Sequence, residues 1–123
     1  MTISREDLQL LLQLDQVHRP GREAKQFIWS ETFGRAASEG TFFDTFALDS
    51  DERFHVNEVA TYHDKIGLLW RSGVVHEEAV FAWATAAVYW DRMGSVLIKA
   101  REVLGSDALG THFEALAIAQ RGG

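Results

Sequence analysis

The sequence predicts an all-α fold, a compact bundle of about five or six helices, and three observations carry that expectation. Apolar residues recur three and four positions apart in several segments, and no useful length alternates as a strand would. Proline occurs once, at position 20, so little interrupts helical backbone. Hydrophobic residues make up 46% and charged residues 24% of the 123, the balance of a chain that folds around its own core. That length suits one domain over residues 1–123 and can bury a core without disulfides or a structural metal.

The first helix is read from Ser4 to Val17: Ser4 is placed to cap, Asp7 to answer it, and Leu8, Leu11, Leu12 and Leu14 fall near one face, widened by Leu10 and Val17. Pro20-Gly21 ends it. A second helix is expected from Arg22 to Ser38, stopping before Gly40, on the spacing of Ala24, Phe27, Ile28 and Glu31. The aromatic stretch Thr41 to Leu48 reads as a connector, either a helical turn or a loop whose phenylalanines plug the core.

A third helix starts near Ser50, where Asp51 and Glu52 suit the positive end of the helix dipole. It carries Val56, Val59, Tyr62, Ile66 and Leu69 to a stop at Gly73, and is expected to form the spine of the bundle. A fourth begins near His76-Glu77-Glu78 and reaches Trp90 with two apolar faces, so it should be largely buried. Gly94-Ser95 marks a kink or a restart into a fifth helix ending at Gly105. Ser106-Asp107 is expected to cap a last helix that buries Leu109, Phe113, Leu116 and Ile118, with Gly122-Gly123 frayed.

The absence of cysteine excludes disulfides, thiolate metal sites and cysteine nucleophiles. The charged start Ile3-Ser4-Arg5-Glu6-Asp7 does not resemble a secretory signal, and no apolar run nears the ~20 residues that cross a bilayer, so a cytoplasmic protein without membrane association is expected. A net charge of −6 argues against nucleic acid as a partner. The helix, Gly73, helix outline over Ile66 to Trp83 superficially resembles a helix-turn-helix, but its second helix offers Glu77, Glu78, alanines and aromatics where a recognition helix needs Arg, Lys, Asn or Gln.

Two histidines follow a carboxylate by three residues, Asp15 before His18 and Glu52 before His55, a spacing that puts each pair on one helix face as in carboxylate-bridged di-metal bundles. A metal site on these four residues is therefore one alternative. His55, Glu58, His63 and Asp64 form a second polar group, read as the solvated stripe of an amphipathic helix with a histidine hydrogen-bonded at its edge. No His-Glu-x-x-His, Gly-x-Ser-x-Gly, Walker or dinucleotide pattern occurs, so no cofactor is expected and enzyme chemistry is disfavoured. Four tryptophans and eight phenylalanines are many for this length. One apolar face, built from Leu8, Leu11 and Leu12 or from the Trp83 to Trp90 side, is expected to be covered by a second copy or another protein. A second alternative is a small-molecule pocket between helices lined by Trp70, Phe81 and Trp83.

Tyr62-His63-Asp64-Lys65-Ile66-Gly67-Leu68-Leu69-Trp70-Arg71-Ser72-Gly73-Val74-Val75, then Val80, Tyr89-Trp90 and Arg101, resembles the bacterial family catalogued as domain of unknown function 4760, in outline over Arg22 to Leu116. The resemblance implies an all-α fold and brings no activity with it. Its carboxylate falls on Asp64 and its arginine on Arg101, which implies a partly buried ion pair tying the third helix to the fifth, with Trp90 packed beside it.

Overall fold

The structure is a computed structural model that describes residues 3–122. It is helical throughout, with eight helices and no strand among the described residues. In chain order these are α1 (Arg5–His18), α2 (Arg22–Ile28), α3 (Glu31–Glu39), α4 (Phe42–Thr45), α5 (Asp51–Arg71), α6 (Glu77–Trp83), α7 (Ala86–Leu104) and α8 (Thr111–Gly122). Every helix contributes to one apolar cluster. Phe33, Phe113, Leu11, Ile28, Ile66 and Met93 are fully buried within it, each contributing roughly 1.5–3 kcal/mol relative to exposure. α5 is the spine, packed mainly against α8 and α2, and α8 packs in turn on α7.

Local sequence sets most helix ends. Ser4, Ser30 and Ser50 are extended N-caps whose hydroxyls accept the backbone N–H of Asp7, Phe33 and Arg53. Gly40 and Gly105 close α3 and α7 in the left-handed region, at φ 70° and 66°, where a side chain would be strained.

The count of eight exceeds the expected five or six because two expected helices are broken and the aromatic connector contains α4. Arg22 to Ser38 divides at Trp29-Ser30: Arg92 of α7 donates to the carbonyls of Ile28 (2.7 Å) and Ser30 (2.6 Å), and its guanidinium lies over the rings of Trp29 and Phe33. The helix expected from His76 to Trp90 divides at Ala84-Thr85, where Gln120 of α8 accepts the Ala87 N–H (2.9 Å) and donates to the Ala84 carbonyl (2.7 Å). A distant side chain thus satisfies backbone groups that a continuous helix would pair internally.

Gly94-Ser95, in contrast, interrupts nothing. α7 runs through it, and Gly94 sits beneath the Trp90 indole, which a Cβ there would meet at 2.8 Å. The last helix starts at Thr111 rather than at a Ser106-Asp107 cap. Ile118 is exposed and Leu109 half-buried, against expectation, while Phe113 and Leu116 are buried as expected. Gly122 closes α8, and Gly123 lies outside the described residues.

Candidate functional site

α5 carries a hollow on each of two faces. The smaller, about 380 Å³, is bounded by the end of α1, by α2, by the middle of α5 and by the α6 to α7 break. Its walls include Asp15, Arg19, Lys25, Tyr62, His63, Trp83 and Tyr89. Asp15 Oδ1 accepts the Tyr62 hydroxyl at 2.5 Å and the Trp83 indole N–H at 3.2 Å, joining α1, α5 and α6. Burial, then the bond to the Asp15 carboxylate, raises the Tyr62 pKa well above that of a free phenol.

His63 belongs to the row Val56, Val59, His63, Ile66, all buried, and is only 4% exposed. Its Nδ1 lies 2.8 Å from the Val59 carbonyl, which can only accept, so Nδ1 carries the proton and Nε2 is left with a lone pair. The ring stacks on Phe113 at 4.9 Å and packs against Tyr89 at 4.6 Å. Burial pushes its pKa down to about 4, so the imidazole is neutral near pH 7. This corrects the reading of His63 as the edge of a solvated stripe. Its three- and four-residue spacing from Val59 and Ile66 was the available signal.

The larger hollow, about 530 Å³, is an apolar groove between α5 and α7 that runs from α4 to the turn before α8. Phe42, Phe43, Val56, Ala60, Val96, Leu97, Ala100 and Leu104 line it, and Arg53, Asp49, Asp64 and Lys65 stand along it.

Asp64 and Arg101 do not pair with each other. Asp64 Oδ1 accepts the backbone N–H of His112 (3.0 Å) and Phe113 (2.9 Å), capping α8 from across the fold. Arg101 donates to the Leu109 carbonyl (2.7 Å) and pairs with Glu114 (3.0 Å). Both residues hold the start of α8: Asp64 supplies the acceptor that its first N–H groups need, and Arg101 ties the Leu109 carbonyl before the helix to the Glu114 carboxylate within it. Trp90 packs edge-on against Phe113 at 5.1 Å, in the same region.

The metal reading does not survive the geometry. Among the described residues no three His, Asp or Glu side chains stand close enough to hold an ion. Asp15 is engaged by Tyr62 and Trp83, His18 lies against the Lys65 ammonium, and the His55 ring packs on Phe27. Glu52 stays at the first turn of α5. Within the expected aromatic pocket, only Trp83 lines either hollow; Trp70 bonds Glu77 at 3.2 Å, and Phe81 packs against the core. Leu11 is fully buried, whereas Leu8 and Leu12 face outward. Arg19, Lys25 and Tyr89, which no spacing along the chain groups with His63, reach one hollow only through the packing of α1, α2 and α7 on α5.

These features define an all-helical domain whose central helix presents one polar and one apolar hollow, with no helix long and apolar enough to cross a membrane among the described residues. The model of the family described as Domain of unknown function (DUF4760) matches residues 5–119, and the chain belongs to that family. No curated protein and no solved structure matches the chain.

Proposed function

We propose that this domain is a non-enzymatic binding module that associates with a second copy of itself through the apolar groove between α5 and α7. The groove itself carries the reading: an open, largely apolar hollow of about 530 Å³ between α5 and α7. Its rim holds projecting apolar side chains. Leu48 is 75%, Phe54 65% and Leu104 55% exposed, so one surface presents both a hollow and the knobs to fill it. A two-fold axis sets such a surface against its own copy, knob into groove. Asp49 and Arg53 stand on the same surface with opposite sign, so a two-fold pairing can set opposite charges together. The outward Leu8 and Leu12 of α1 make a second apolar stripe.

Light scattering on the full chain across a concentration series tests this. The expected result is twice the subunit mass at high concentration, reverting to the single mass in Phe54→Asp and Leu104→Arg, whose exposed sites leave the helical circular dichroism unchanged. A wild-type chain that stays at the single mass throughout, or variants that dimerise as it does, would falsify the proposal.

A further inference from the structure

The hollow on the other face of α5 holds polar groups that the fold does not use. Arg19 and Lys25 line it, and neither side chain has a carboxylate or hydrogen-bonding partner among the described residues. His63 lines it too, with Nδ1 committed to the Val59 carbonyl and Nε2 left as an acceptor without a protein donor. Nε2 opens to the hollow as an acceptor that a ligand's donor can reach, and two unpaired cations beside one hollow favour an anion. The walls next to them are flat: Trp83, Tyr62 and Tyr89 present rings, and the Trp83 indole is fixed by its bond to Asp15.

We infer that this hollow binds a small planar carboxylate carrying a hydroxyl group, its carboxylate held by Arg19 and Lys25, its ring against Trp83 and Tyr89, and its hydroxyl donating to Nε2 of His63. Each part answers a group of the hollow. A cationic ligand would meet two like charges, with Oδ1 of Asp15 already taken by Tyr62 and Trp83. A dianion such as hydrogen phosphate would bring a double charge to the Asp15 carboxylate and no flat face to the aromatic walls. A singly charged carboxylate with one donor satisfies both ends. The hollow, at about 380 Å³, lies within the size range of small-molecule sites.

The probe is 4-hydroxybenzoate, titrated calorimetrically into the full chain. Saturable one-to-one binding is expected. Benzoate, which lacks the donor for His63, should bind about tenfold more weakly. 4-Hydroxybenzamide, which keeps the donor and loses the charge, should weaken by about tenfold or more. Lys25→Met and Arg19→Met, at side chains that make no contact within the fold's hydrogen-bond network, should each weaken 4-hydroxybenzoate by about tenfold while leaving thermal unfolding of the free protein unchanged. Absence of binding by 4-hydroxybenzoate overturns the inference, as does equal affinity for benzoate or unaltered affinity in both variants. These outcomes are independent of subunit mass, so the groove and the hollow stand or fall separately.

Discussion

Gly67 of α5 lies flush against the backbone of His112 in α8: a Cβ at Gly67 would stand 2.3 Å from the His112 carbonyl oxygen and 2.6 Å from its carbon. The closeness lets the two most extensively packed helices meet backbone to backbone. A methyl group there has no flexible side chain to push aside. Gly67→Ala should therefore destabilise the fold by about 1–3 kcal/mol, read as a lower urea midpoint at unchanged slope. Gly34→Ala should also destabilise, because its new Cβ would meet the Arg92 guanidinium at 2.9 Å and displace it from the Ile28 and Ser30 carbonyls.

The Asp64 carboxylate caps α8 from α5 and serves two backbone N–H groups. Asp64→Ala leaves both without an acceptor and should cost about 1–2 kcal/mol, whereas Asp64→Asn keeps an oxygen in place and should lose about half as much. Hydrogen exchange at the His112 and Phe113 amides is the specific readout. Exchange there should accelerate in Asp64→Ala beyond what the global loss of stability explains.

Acid stability should carry the signature of His63. Its folded pKa of about 4 lies below the ordinary 6.5, so between those values the unfolded chain takes up a proton that the folded chain refuses. Stability is then complete above about pH 6.5 and falls as the pH drops toward 4, by on the order of 3 kcal/mol in total. His63→Gln should flatten that limb of a denaturation series run from pH 7 to 4. Asp7 acts elsewhere on the scale: the His76 ring N–H, then its backbone N–H, hold its carboxylate below the usual 3.8. The α1 to α6 tie that Asp7 makes is thus intact throughout this window and weakens only as the pH falls through that lowered value.

Much of the fold was legible because its signals are local. Ser4 and Ser50 cap where the sequence places them, Gly40, Gly73 and Gly105 end or follow helices with positive φ, and the row Val56, Val59, Ile66 marks the buried face of α5. Less of the site was legible. Asp15 and His18 shared a helix face in the sequence, and nothing in their spacing showed that Asp15 would be taken by Tyr62 and Trp83, 47 and 68 residues away. The pairing of Asp64 with Arg101 is what the family resemblance implies, and backbone N–H groups of α8 take Asp64 instead because an uncapped helix start needs acceptors that it can supply.

By itself the sequence determined that this chain is helical, which helix faces are apolar, and where serine and glycine start and stop the helices, since a cap or a 3.6-residue period needs only neighbours along the chain. Tertiary structure alone decided that Arg92 divides α2 from α3, that Gln120 divides α6 from α7 and that Asp64 starts α8. It also brought Arg19, Lys25 and His63 to one hollow. In each case a side chain distant in sequence supplies, or leaves open, a hydrogen bond that local backbone cannot make, and only the packing of α5 against its neighbours brings the two within reach.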